Sequence, residues 1–399
     1  MRVFQGKRIL LGITGSIAAF KAADLASQLT QSEAQVDVIL TPAAEKFITA
    51  LSLQSVTGRR AYTELDLWGG EAHVLHIGLA QNADLMVIAP CTANTLAKLA
   101  HGHADNLLTI TALARRCPLL IAPAMDGGML DHPATQENID LLKRRGAVIA
   151  GPAEGHLASG LSGKGRLLEP LEILGHIRQI LGQNGRLANK KVVISAGGTQ
   201  EPLDPVRVLT NKSSGKQGYA LAQAGLDAGA QVTLVSAPTA LPVPIGSRLV
   251  AVQTAREMLD AVVKACEGAD ALIMAAAVAD FRPKENAASK LKTRDGVPGL
   301  ELEATQDVLR TVAQGKRPRV VVGFAAESRD LVQNALEKVK SKKLDLIIAN
   351  DISARDAGFG SDTNRVTLID AKGNVEPLPL APKTEVADII MERVAALLE

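Results

Sequence analysis

Short, unbroken apolar runs punctuate the chain, each followed by a longer stretch in which apolar positions recur at helical spacing. Arg8–Ile13, Val36–Leu40, Leu85–Ala89, Leu119–Ala122 and Ala147–Ala150 are such runs. Strands buried on both faces of a parallel sheet require this pattern. Ile17–Gln31 carries the helical period with Ser16 as its N-cap, and Thr41-Pro42 predicts the opening of a second helix. The alternation returns at Val192–Ser195, Gln231–Val235, Ala271–Ala275, Val320–Phe324 and Asp345–Ala349. Helical stretches there are Lys216–Ala228, Ala255–Cys266 and Leu331–Lys340. Val366–Asp370 and Val375-Glu376 predict a hairpin, and Thr384–Leu398 a closing helix. The expected class is therefore α/β, with two doubly wound parallel sheets. A helix is expected over Pro170–Leu181, and the polar, glycine-bearing Gly182–Asn189 reads as a linker. It divides the chain into domains 1–189 and 190–399.

Ligands of open α/β sheets bind at the carboxyl ends of the strands. Three polar loops of the first half fall there: Gly15-Ser16, Pro90–Thr95 and Pro123–Met129. In the second half, Ser195–Lys216 is far longer than a strand-to-helix turn needs, and such loops are usually functional. Gly197 and Gly198 allow close backbone approach. Asn211, Ser213 and Ser214 precede a helix start whose free N–H groups suit an anion. The stretch is neither G-x-G-x-x-G nor a Walker loop, because Gln217 follows Gly215-Lys216 and Thr210 stands where the first glycine belongs. Ala275–Asp280 ends a strand in a carboxylate, and Lys338 and Lys342 share a helix face. Lysines converging with an aspartate suit a nucleoside triphosphate and a divalent ion. A solvated helix end accounts for Lys338–Lys343 just as well on the residues alone. His76 opens a predicted helix one turn after His73, and either can be a capping residue.

Composition narrows the classes. The 399 residues are 47% apolar and 22% charged, enough for two or three ordinary cores. A net charge of +2 calls for no acidic partner, and one Trp, two Tyr and six Phe argue against a base-stacking nucleic-acid surface. Cys91, Cys117 and Cys266 have no metal spacing, which suits a reducing compartment. The first apolar run is cut by Gly12, Thr14, Gly15 and Ser16, so no signal peptide is expected. No apolar stretch is of membrane length. A cytoplasmic protein with neither nucleic-acid nor membrane partner is expected.

Gly12–Ala19, His76-Ile-Gly-Leu-Ala80, Ala83-Asp-Leu85, Ala89–Thr95, Leu99–Asp105 and Pro123-Ala-Met125 occur together and in order. Over residues 8 to about 170 the chain thereby resembles the FMN-dependent cysteine decarboxylases. Flavin prenyltransferases share the first turn but not the His76 segment. The resemblance implies a flavodoxin-like domain. In it Gly15, Ser16 and Thr41 hold the FMN phosphate and ribityl chain, while Thr92, Asn94 and Met125 lie near the ring. His76 would be the base in oxidation of a cysteinyl thiol. It also implies a homo-oligomer with flavin sites between subunits.

Two positions depart from that family's pattern. Asp126 follows Pro-Ala-Met, where the family usually has an asparagine that orients the substrate carboxylate. Gly155–Arg166 resembles the family's flexible lid, but Ser159 takes the place of its proton-donating cysteine. Either Ser159, through water or helped by His156, supplies the final proton, or the lid only closes the pocket.

Ser195–Arg207, Asn211–Lys216, Ala275–Asp280, Gly323–Glu327 and Ala349-Asn-Asp351 resemble the phosphopantothenate–cysteine ligases over residues 190 to 399. That implies CTP binding by Asp280, Lys290, Thr305, Gln306, Asp307, Val308, Phe324, Lys338 and Lys342. Asn211 would position the carboxylate or its cytidylate, and Lys290 would close over the intermediate. Decarboxylase followed by ligase resembles the bifunctional coenzyme A biosynthesis proteins of bacteria. The implied partners are 4'-phosphopantothenate, cysteine and CTP with Mg²⁺, whose protein ligands the sequence does not assign. Two rivals stand: a ligase joined to a regulatory flavin-binding module, and an NAD(P) dehydrogenase. The second lacks its dinucleotide fingerprint.

Overall fold

The structure is a computed structural model and describes residues 3–68, 74–292, 299–327, 330–351 and 360–399. The chain divides into two compact units, one ending at Leu181 and one starting at Gly182.

The first unit is built on a six-stranded sheet. Its spatial order is Ala61–Tyr62, Gln35–Leu40, Arg8–Ile13, Leu85–Cys91, Leu119–Pro123 and Val148–Ile149, all parallel. All of Leu85–Cys91 is buried, because helices cover both faces. The helix Phe20–Gln31 buries Ala22, Leu25, Ala26 and Leu29, a single stripe at helical spacing. Ser16 accepts from the Ala18 N–H as expected of a cap, but what it caps is a 3₁₀ turn, Ile17–Ala19. The helix expected to open at Thr41-Pro42 does not form there. The Thr41 hydroxyl takes the Ala44 N–H and donates to the Ile13 carbonyl, closing one 3₁₀ turn over Ala44–Lys46. The α-helix begins at Ala50, capped by Thr49. Strand order reverses between Arg8–Ile13 and Leu85–Cys91, the kind of switch point at whose carboxyl edge doubly wound sheets bind ligands.

The second unit has an eight-stranded sheet. Six parallel strands run Arg248–Ala251, Gln231–Ser236, Lys191–Ala196, Ala271–Met274, Val320–Glu327 and Leu346–Asp351. The hairpin Val366–Asp370 and Val375–Pro377 adds antiparallel to the far edge. The helix Lys383–Leu398 buries Val386, Ile390, Met391, Val394 and Leu398 on this sheet. Each such side chain contributes roughly 1.5–3 kcal/mol when fully buried. Its switch point lies between Lys191–Ala196 and Ala271–Met274. The long stretch from Ser195 to Lys216 is not all loop: Gln200–Pro202 pairs antiparallel with Val208–Thr210. Leu187, in the expected linker, is buried in this unit's core, and its N–H donates to the Ala228 carbonyl.

Candidate active sites

At the second switch point two threonines stitch the loops together. The Thr199 hydroxyl accepts the Ala279 N–H at 2.9 Å, and the Thr210 hydroxyl donates to the Thr199 carbonyl at 2.8 Å. The Asn211 amide donates to the Ala277 carbonyl at 3.3 Å, so Asn211 is held against the strand end that leads to Asp280. Gly215 precedes the helix Lys216–Asp227 with φ +75, a conformation that costs glycine little. The cavity opened here measures about 470 Å³. Asn211, Asp280, Thr305, Gln306, Asp307, Val308, Phe324, Lys338 and Lys342 all line it.

Lys342 lies 2.8 Å from the Asp307 carboxylate, which also caps the helix Val308–Gln314 through the Arg310 N–H. Burial works to raise the Asp307 carboxyl, but Lys342 and that N–H outweigh it and hold it below the ordinary carboxylate range. Thr305 is tied back by its hydroxyl to the Ala279 carbonyl at 2.6 Å. One expected residue is elsewhere. Lys290 is exposed and outside the cavity lining, on a segment anchored by the Leu291 N–H to Asp204. The side chains of Glu327 and Asp351 lie outside the described residues.

At the first switch point Thr14 is the fastener. Its buried hydroxyl donates to the Pro90 carbonyl at 2.8 Å and accepts the Thr92 N–H at 3.0 Å. Gly15-Ser16 and the Pro90–Thr95 loop are thereby held side by side, with Thr41 joined to them through Ile13. Thr92 caps the helix Ala93–His101, which carries Asn94 in its first turn. Ile17, Phe20 and Phe47 stand exposed on the same edge. Met125 donates its N–H to the Gly165 carbonyl at 3.0 Å, fixing the next loop to the hairpin Ala153–His156 and Ser162–Arg166. At the hairpin tip Ser159 donates to Asp126 at 2.7 Å. His76 is half-buried in the first turn of Leu75–Asn82, and no hydrogen bond joins its ring to the switch-point loops among the described residues. His73 lies outside the described residues.

Known proteins match both units. The model of the flavoprotein family covers residues 2–182, and that of the DNA/pantothenate metabolism flavoprotein C-terminal domain covers 187–398. The coenzyme A biosynthesis bifunctional protein CoaBC of Bacillus subtilis strain 168 is 43% identical over 99% of this chain and 98% of its own. The chain belongs to the family of bifunctional coenzyme A biosynthesis proteins. Its Vibrio cholerae counterpart is 44% identical over 98% of both chains. A crystal structure of the C-terminal domain of such a protein is 39% identical, covering 54% of this chain and 98% of that one, with a TM-score of 0.47.

Family motifs did not point to every residue at these sites. Asn364 and Lys383 line the ligase-side cavity without belonging to any stretch the sequence singled out, and Gln217, notable in the sequence only for breaking a Walker pattern, lines it too. Lys383 reaches the Ser361 carbonyl at 2.5 Å, and burial, then the neighbouring Lys216, push its ammonium below the usual lysine range. Asn364 is almost fully buried, with its Nδ2 on Gln217 and its Oδ1 without a partner among the described residues. Thr14 falls inside the Gly12–Ala19 motif, but nothing in that motif marks its hydroxyl as the brace between two loops. A polar side chain at the end of a buried strand was the one signal available. Among the described residues no helix is long and apolar enough to cross a membrane.

Proposed function

We propose that the second unit joins cysteine to 4'-phosphopantothenate through an acyl-cytidylate made from CTP, and that the first unit decarboxylates the adduct with FMN to give 4'-phosphopantetheine. The observation that carries the reading is the single cavity in which Asn211, Asp280, the Thr305–Val308 segment, Phe324, Lys338 and Lys342 meet.

In the ligase step a carboxylate oxygen attacks the α-phosphorus and pyrophosphate leaves. The cysteine amine then attacks the acyl carbon, CMP departs, and the amine gives up a proton. Charge builds on phosphate oxygens in the first step, where the N-terminus of Lys216–Asp227 and the Lys338–Lys342 face stabilise it. Asn211, braced on Ala277, suits orientation of the reacting carboxylate. Phe324 offers an apolar wall for a base. Of the two acids that line the cavity among the described residues, Asp307 is engaged by Lys342, and Asp280 is the one placed for a single contact to Mg²⁺. Mg²⁺ usually rides on substrate phosphates with one or two carboxylates, which fits this donor set. Lys290 would reach the reacting groups only by movement of its segment.

The first unit fits FMN. The Thr14-braced loops offer Ser16, Thr41 and backbone N–H groups to a phosphate, and Thr92, Asn94 and Met125 to a ring. Exposed Ile17, Phe20 and Phe47 beside them suit a flavin shared with a second copy of the chain in a homo-oligomer. Bound FMN supplies two-electron oxidation and its reversal. His76 takes the thiol proton, and the loops hold the adduct so that its carboxylate departs as carbon dioxide. The test is substrate dependence: pyrophosphate release must require both CTP and 4'-phosphopantothenate, and purified protein must carry a flavin spectrum. Pyrophosphate release without the pantothenate acid would sink the ligase assignment.

A further inference from the structure

The two positions that depart from the decarboxylase pattern touch each other. Ser159 Oγ donates to Asp126 Oδ2 at 2.7 Å across 33 residues of sequence. The other carboxylate oxygen, Oδ1, accepts the Gly128 N–H at 3.0 Å and caps the short helix Gly127–Asp131. Both oxygens of Asp126 are thus engaged. The Ser159 hydroxyl, then the Gly128 N–H, hold its carboxyl below the ordinary range, so the acceptor is a carboxylate at neutral pH.

The rest of the hairpin is tethered elsewhere. Its base is fixed by the Met125 N–H on the Gly165 carbonyl. Gly165 has φ +135, and a Cβ there would stand 2.2 Å from the Met125 carbonyl oxygen, so the approach is too close for any side chain. Beyond it, buried Lys21 reaches the Leu167 carbonyl at 3.3 Å and Glu169 at 2.9 Å. The tip turns on the Leu157 N–H to the Leu161 carbonyl and the Gly160 N–H to the Leu157 carbonyl. Ser159, exposed, joins this tip to the loop that follows Pro123.

We propose that Asp126 and Ser159 form a clasp that holds the hairpin tip down over the Met125–Gly128 loop, and that Ser159 is a positioning residue rather than the proton donor. A hydroxyl whose hydrogen points at a carboxylate is a poorer acid than a free one, since losing the proton would set two anions against each other. The clasp also occupies Asp126. A substrate carboxylate entering beside it meets a carboxylate already neutralised in part by the serine hydroxyl and the Gly128 N–H. The kinetic part rests on the decarboxylase reading; the structural part does not.

The experiment is hydrogen exchange of residues 153–166 in the full, flavin-loaded chain, for the unaltered protein, Ser159→Ala, Asp126→Asn and the double variant. Asn keeps the cap on Gly128 while removing the charge. The clasp predicts that Ser159→Ala speeds exchange of the Leu157 and Gly160 amides roughly 3- to 10-fold, the yield of one modest hydrogen bond. Asp126→Asn speeds it in the same direction, and the double variant adds little to the larger single effect. In decarboxylation of the cysteine adduct, the Ser159→Ala loss falls mainly on KM. Unchanged exchange in Ser159→Ala overturns the clasp, and a collapse of kcat with unchanged exchange identifies Ser159 as the proton donor instead. If the unaltered chain releases no carbon dioxide, the decarboxylase reading fails while the exchange result still decides the clasp.

Discussion

The Thr14 hydroxyl lies 2.8 Å from the Pro90 carbonyl oxygen and so joins the ends of the two strands between which the first sheet reverses its order. The same hydroxyl receives the Thr92 N–H, so one buried oxygen sets the separation of the two loops assigned to the flavin. Replacing it with Thr14→Val keeps the shape and removes the bridge. The part-buried Thr92 N–H is left without its acceptor, which costs about 1 kcal/mol. Expected outcomes are a lower unfolding midpoint of the first unit and weaker flavin retention. Both are followed by the fluorescence of flavin released on titration with denaturant. Unchanged flavin retention would remove Thr14 from the site.

Asp307 and Lys342 make a second pair with a pH signature. The folded-state carboxyl of Asp307 is lowered, so its contribution is fully present above the ordinary carboxylate value and is lost as pH falls through the lowered one. Both partners are partly exposed, which keeps the contribution at about 1 kcal/mol or less. Asp307→Asn preserves the helix cap and removes the ion pair. Thermal unfolding of the two proteins should differ at neutral pH, and the gap should narrow as the pH is taken into the acid range. A gap that widens on acidification contradicts the assignment.

Lys342→Met tests the same face for nucleotide. Loss of this cation should raise KM for CTP about tenfold while leaving KM for cysteine little changed. The measurement is pyrophosphate release at varied CTP. Equal effects on both substrates would mean that Lys342 supports the fold rather than the nucleotide.

Lys290 stands outside the cavity, so its assigned role belongs to a later stage than nucleotide entry. Lys290→Gln should leave CTP binding near that of the unaltered protein and slow amide formation by at least about tenfold. Single-turnover assays that separate cytidylate formation from cysteine transfer make the distinction. Undiminished amide formation would take Lys290 out of the mechanism.

The sheets were legible because buried parallel strands leave uninterrupted apolar runs, and Arg8–Ile13 and Lys191–Ala196 each show one. The turn after Thr41 was not legible: a tertiary bond from the Thr41 hydroxyl to Ile13 decides it, and local propensity does not register that bond. The ribbon inside the Ser195–Lys216 stretch was hidden for a related reason. Its strands are three residues each and mostly only part-covered, too short for a period to appear. Of the candidate site, Asn211, Asp280, Lys338 and Lys342 were legible from strand ends and helix spacing, and family likeness gave them specific roles. Gln217, Asn364 and Lys383 enter the cavity from elements well separated in sequence, and only the packed fold brings them to one wall. The contact between Asp126 and Ser159 likewise depends on the hairpin's register, with Gly155 opposite Gly163.

One measurement tests the central claim directly: cysteine labelled at its carboxyl carbon, supplied to the flavin-loaded chain with 4'-phosphopantothenate, CTP and Mg²⁺. The account predicts release of labelled carbon dioxide in proportion to pyrophosphate, abolished when CTP is omitted, with the label retained in the amide adduct when flavin is stripped. Labelled carbon dioxide that appears without CTP, or an adduct that keeps its label in the presence of bound flavin, would contradict it.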